Sequence, residues 1–192
     1  MGWTSYHATH YDYKGRVDRI AEVRGLLTED GRNGIWNPLK VSAVGSTVYA
    51  AVERIKPDGE RYVFGAVFLT STDMSDYFNF SYKDMDETCG PCERDCPVSI
   101  LNLLTPTDHE YANEWRKDCR ENAAKKAAKR KDPNSLSNLP FGSVIEMPYW
   151  KGGTKLLTKR QAYSPKVIWT DGQYRYTPKT IEQQGYTVIS RN

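Results

Sequence analysis

The sequence predicts an α+β protein: an N-terminal antiparallel sheet with a packed helix, a central helical hairpin, and a small C-terminal β-barrel-like region. Three observations carry that reading. Two long β-branched and aromatic runs flank Lys56-Pro57-Asp58-Gly59-Glu60, a loop with hairpin chemistry. A helical pattern opens at Cys96-Pro97 and ends before Asp132-Pro133. Beyond it come five short strand-like runs separated by turn dipeptides. The expected organisation is a domain over residues 1–132 with central helices at 97–131, a Pro/Asn/Ser linker at 133–139, and a β-rich region at 140–192.

Each element has its own reason. Trp3 to Thr9 alternates small polar and aromatic residues, as a strand does. Val17, Ile20, Ala21, Val23, Leu26 and Leu27 recur at helical spacing and place a helix at 16–28. Lys40–Ile55 and Arg61–Thr70 read as strands, with Gly45 marking a bulge or a break into two, and Phe78–Tyr82 as a third. Ile100, Leu101, Leu103 and Leu104 supply the apolar side of the first central helix. Thr105-Pro106-Thr107-Asp108 restarts the chain as a second, with a Thr-x-x-Asp capping box. In the rear, Phe141–Met147, Lys155–Thr158, Val167–Trp169, Tyr174–Tyr176 and Tyr186–Ser190 are the strands. Asp171-Gly172 is a two-residue turn, and Thr177-Pro178 starts one helical turn that Gly185 ends.

The chain has 192 residues, including 13 Tyr and 5 Trp, enough large side chain for a core. No run approaches the roughly 20 apolar residues of a membrane span, and the opening residues lack a signal-peptide pattern. The expected location is the cytoplasm, with no membrane partner.

Charge is uneven. Residues 1–107 hold 11 Lys and Arg against 15 Asp and Glu, whereas residues 140–192 hold 8 against 3. A basic rear can meet a polyanion, although solvated lysines explain such a balance equally. The candidate contacts are Lys125, Lys126, Lys129 and Arg130 at the end of the long helix, and Trp150, Lys151, Lys155, Lys159, Arg160 and Arg175 in the rear. Cations meet phosphates and exposed aromatics stack on bases. The helix cations also have a purely structural reason, since they lie at the negative end of its dipole.

Cys89, Cys92, Cys96 and Cys119 are the only cysteines. Cys89-Gly-Pro-Cys92 has knuckle spacing, and a structural zinc ion would complete its tetrahedron with Cys96 and either Cys119 or His109. Against this, Cys119 lies on the stripe Tyr111, Trp115, Cys119, Ala123, Ala127, where a cysteine is ordinarily core. His7-Ala8-Thr9 matches half of a two-histidine phosphoesterase signature, but no second copy exists. Asp73, Asp76, Asp84, Asp86 and Glu87 form an acidic stretch that a metal-dependent hydrolase would need to converge. No phosphate loop, serine nucleophile elbow or metalloprotease helix is present.

The opening Met1-Gly-Trp-Thr-Ser-Tyr-His-Ala-Thr9, the phrase Lys83-Asp-Met-Asp-Glu87, the run from Cys96 to Asp108, and Tyr111-Ala with Glu114-Trp-Arg resemble one family. It is carried by phages, plasmids and other mobile elements of gut and Gram-positive bacteria. That family in turn is similar to a widespread class of type II anti-CRISPR proteins. The resemblance implies a non-enzymatic counter-defence protein, without catalytic residues, that binds an RNA-guided CRISPR effector nuclease or its guide or target complex. The readings beside it are a nucleic-acid-binding accessory protein that contacts DNA or RNA directly, and a small metal-dependent hydrolase.

Overall fold

The computed structural model describes residues 3–29, 35–72, 76–84, 93–149, 151–161 and 167–191. The chain divides into two compact units, 1–125 and 126–192. Among the described residues there are two antiparallel sheets and four helices, an α+β fold.

The first sheet holds β1 (Thr4–His7), β2 (Ile35–Val44), β3 (Thr47–Ile55), β4 (Arg61–Thr72) and β5 (Tyr77–Asp84), in the order β1-β5-β4-β3-β2. Gly45 breaks the first predicted run in two. Val44 pairs with Thr47, and Gly45 adopts φ 59° in the tight turn between them. Both sheet faces are covered, so β3 is buried without interruption from Thr47 to Val52. Val48, Ala50 and Val52 point to one face with Phe64, Ala66 and Phe68, against Val23 and Leu27 of α1 (Arg19–Glu29). Tyr49, Ala51 and Val67 point to the other, against α2 (Val98–Leu101) and α3 (Glu110–Lys131). The helix α1 starts later than its periodicity suggests because Asp18 caps it. The Asp18 carboxylate accepts from the Ile20 and Ala21 amides at 3.0 and 3.1 Å.

The expected helical hairpin differs in its first arm: α2 is one turn, and the chain leaves the helix before Leu103, which is 41% exposed. The reason lies in the sheet. The described part of β5 ends opposite Ala66. Further along β4, Thr105 bonds to Val63, donating its amide to the Val63 carbonyl at 2.9 Å and accepting the Val63 amide on Oγ1 at 2.8 Å. The predicted capping box does not form, because α3 begins only at Glu110. The α3 entry uses Thr107 instead, whose Oγ1 accepts from the His109 amide at 3.2 Å. α3 ends at Lys131, as predicted.

The second sheet holds β6 (Val144–Pro148), β7 (Thr154–Gln161), β8 (Val167–Thr170), β9 (Arg175–Tyr176) and β10 (Thr187–Ser190), in the order β10-β6-β7-β8-β9. It is an open sheet: β10 and the two-residue β9 are its edges, and no barrel closes. Thr177 caps α4 (Pro178–Gln184), accepting from the Thr180 amide, with Pro178 at the first position. The turn after β8 is a four-residue loop, not the two-residue turn expected. Asp171 spans it, its carboxylate accepting from the Gln173 and Tyr174 amides at 3.0 and 2.7 Å. The 133–139 segment is no free linker, because Leu136 and Leu139 are buried in the second core with Ile145, Met147, Leu157, Trp169 and Ile181. Among the described residues no helix is long and apolar enough to cross a membrane.

Candidate nucleic-acid interface

α3 changes character along its length. Ala112, Trp115 and Cys119 are buried on its inner side, and the Trp115 indole donates to the Glu93 carbonyl at 2.6 Å. The predicted stripe is shifted by one residue at its start: Ala112 is buried, while Tyr111 is 52% exposed. From Ala124 to Lys131 every residue is exposed. At 3.6 residues per turn, Lys125, Lys126, Lys129 and Arg130 fall on one side of these two turns. Ala124, Ala127 and Ala128 fall on the other, together with Lys131. The side that is apolar at Cys119 thus continues as a basic side at Lys126 and Arg130. A polar helix exposed all round has no packing reason for its composition.

The ion pairs on this stretch are weak competitors for a ligand. Lys125 lies 3.9 Å from Glu121, and Lys129 lies 2.6 Å from Glu182, all four side chains being at least partly exposed. Exposed pairs of this kind are worth at most about 1 kcal/mol.

The rear cations separate into two sets. β7 alternates, so Lys155, Leu157 and Lys159 lie on its inner side and Leu156 and Arg160 on its exposed side. Lys159 is a correction to the predicted contacts. It is 4% exposed, and its ammonium donates to the Leu136, Ser137 and Leu139 carbonyls at 2.9, 3.1 and 2.5 Å. Burial pulls its amine below the ordinary lysine range, and the three carbonyls oppose that pull by favouring the charged form. Lys155 is half-buried and engaged by neighbouring side chains. It donates to Asp171 at 2.9 Å and to the Tyr176 hydroxyl at 3.0 Å, and sits 4.3 Å from the Tyr149 ring centroid and 5.2 Å from that of Tyr174. The Asp171 and Tyr176 bonds hold the Lys155 amine above its usual value, and Lys155 in turn holds Asp171 far below the carboxylate range. Lys151, Arg160 and Arg175 are exposed, the last two on the same open sheet face. Trp150 lies outside the described residues.

Cys96 and Cys119, 23 positions apart, meet in one buried cluster beside Tyr49 and Trp115. Burial pushes the Cys96 thiol well above its usual range and the Cys119 thiol up to about 11, while a hydrogen bond from the Cys96 amide to the Cys119 sulfur works the other way. Cys89 and Cys92 lie outside the described residues, and His109 instead lines a groove with Lys56 and Tyr62. Among the described residues no group of three His, Cys, Asp or Glu is placed to hold a metal ion. Of the acidic stretch, Asp73, Asp86 and Glu87 and the Asp84 side chain lie outside the described residues. Asp76 adopts φ 60° and gives its carbonyl to the Ala8 amide at 2.9 Å.

The His7 ring packs against that of Tyr77, with centroids 4.0 Å apart and planes tilted by 41°. The N-terminal segment holds a site that its spacing did not reveal. Glu22 of α1 is 1% exposed and accepts from the Thr9 amide at 2.5 Å, the His10 amide at 2.6 Å and the Tyr6 hydroxyl at 2.6 Å. Burial pushes this carboxyl up, and the Tyr6, His10 and Thr9 bonds together outweigh burial, so it stays below its ordinary value of 4.5. A turn of backbone is thereby pinned to a helix by one buried anion. An acidic residue on an apolar helix face was the available signal. Family models, curated proteins and solved structures were each compared with the chain, and none matches it.

Proposed function

We propose that this chain is a binding protein of a mobile element that engages nucleic acid, or a nucleoprotein complex, through the basic side of α3. The observation that carries the reading is the stretch Ala124–Lys131, helical and exposed on every side, with Lys125, Lys126, Lys129 and Arg130 aligned along it. Arg160 and Arg175, exposed on one sheet face, are a second set of cations for the same kind of ligand. The resemblance of the opening and central motifs to mobile-element proteins supports a narrower partner: an RNA-guided type II CRISPR nuclease or its guide or target complex, met in the cytoplasm of a bacterial host. In that setting the protein acts by occupancy and needs no catalytic residue.

A plasmid-cleavage assay with such a nuclease tests this. Wild-type protein is expected to protect the plasmid. A variant carrying Lys125→Glu, Lys126→Glu, Lys129→Glu and Arg130→Glu is expected to lose most of that protection at equal concentration. Undiminished cleavage in the presence of the wild type contradicts inhibition.

We also propose a structural zinc ion held by Cys89, Cys92, Cys96 and Cys119. The support is the convergence of Cys96 and Cys119 from separate elements. Elemental analysis of chelator-free protein is expected to find about one zinc per chain. A content near zero, with all four thiols alkylated under denaturing conditions, would leave the cluster as reduced cysteines.

A further inference from the structure

On the other flank of α3, within the first unit, a groove of about 480 Å³ opens against the connection from α2. Its floor is apolar, built by Leu101, Leu104 and Pro106. Its rim is cationic, with Arg116, Lys117 and Arg120 from successive turns of one helix. The guanidinium groups are held in place from below. Arg116 donates to the Thr105 carbonyl at 2.7 Å, and Arg120 donates to Asn102 Oδ1 at 2.8 Å and to the Leu101 carbonyl at 3.2 Å. A guanidinium carries five N–H donors in a rigid fork, so the two bonds made by Arg120 orient it without exhausting it. One carboxylate, Glu121, shares the rim and lies 3.9 Å from Lys125. Three cations against one anion leave the rim positive.

An apolar floor beneath a fixed cationic fork selects a ligand that is anionic at one end and apolar or flat at the other. We propose that this groove binds a phosphomonoester carried on such a body, a mononucleotide or the phosphorylated end of a nucleic-acid strand, with phosphate on Arg116, Lys117 and Arg120 and the base over Leu101, Leu104 and Pro106. The proposal does not rest on the basic side of α3, which faces another direction around the helix.

Titration of the ¹⁵N-labelled full chain tests it, with AMP, adenosine, inorganic phosphate, and an oligonucleotide with or without a 5′-phosphate as probes. AMP or the 5′-phosphorylated strand is expected to shift amides in 101–106 and 113–120 saturably, with Kd below about 1 mM. Saturation by AMP identifies a free nucleotide as ligand, and saturation by the phosphorylated strand alone identifies a strand end. Lys117→Glu, an exposed rim change with an unchanged melting temperature, is expected to weaken binding about tenfold. Absence of saturable shifts up to about 5 mM of either phosphate-bearing probe overturns the proposal. So do shifts from inorganic phosphate or adenosine as large as those from AMP, and so does unaltered binding by the Lys117→Glu variant. Gel shifts lost on reversing Lys126 and Arg130 leave this result untouched, so the two sites fail separately.

Discussion

Replacing Lys159 with methionine is expected to destabilise the 126–192 unit by about 3–5 kcal/mol. Methionine keeps the unbranched stem, so the loss is not a cavity effect. What disappears is the ammonium that the Leu136, Ser137 and Leu139 carbonyls share. Three acceptors are then left turned into an apolar site, each costing about 1–3 kcal/mol if water does not reach it. The same carbonyls fix the 135–139 turn, whose Leu136 and Leu139 belong to the core around Trp169. Relief from no longer burying a charge offsets part of the cost, which is why the expected value is below the sum of three bonds. Urea denaturation of the full chain measures the change. Arg160→Met, one position along and exposed, is the control and is expected to stay within about 0.5 kcal/mol of wild type. A loss below about 1 kcal/mol for Lys159→Met would mean that the carbonyls find other donors.

Glu22→Ala is expected to cost about 2–4 kcal/mol at neutral pH, because it strands the Thr9 and His10 amides and the Tyr6 hydroxyl. Glu22→Gln is milder, since its amide oxygen can accept the two backbone donors while its nitrogen donates to the tyrosine oxygen. The pH dependence separates charge from shape. The folded carboxyl lies below its ordinary value of 4.5, so its stabilisation is fully present above that pH and is lost as pH falls through the folded value. The gap between wild type and Glu22→Gln is therefore expected to narrow as pH falls below 4.5. A gap that widens below pH 4.5 would contradict an ionised Glu22.

The elements with local chemical signatures were legible in the sequence. Pro57 and Gly59 marked the β3–β4 hairpin, where Gly59 adopts φ 86°. Thr177, Pro178 and Gly185 bracketed α4. What was not legible depended on partners distant in sequence. Nothing in Leu103-Leu104-Thr105 announces that Thr105 bonds to Val63 on β4, 42 positions earlier. On β7, Leu156 and Leu157 are adjacent, so a period of two is satisfied with either one inward. The register puts Leu157 inside and takes Lys155 and Lys159 with it. Lys159 therefore leaves the polyanion surface that composition alone assigned to it, while Lys155 stays half-buried and bonded to Asp171. The basic side of α3 was legible because a helix fixes its own geometry, and the exposure of all eight residues from Ala124 to Lys131 is what the structure adds. The groove at Arg116 and Arg120 was missed because Leu104 and Pro106 of its floor come from a non-helical connection.

The salt dependence of duplex binding is the decisive test of the proposed contact between the basic side of α3 and phosphates. Log K against log salt for a mixed-sequence duplex of about 20 base pairs is expected to fall with a slope of about −3 to −4, corresponding to about four phosphate contacts. The double variant Lys126→Glu, Arg130→Glu is expected to flatten that slope by about two and to weaken binding more than tenfold at low salt. Identical slopes for the two proteins, or no binding by the wild type at about 50 mM salt, would contradict the claim.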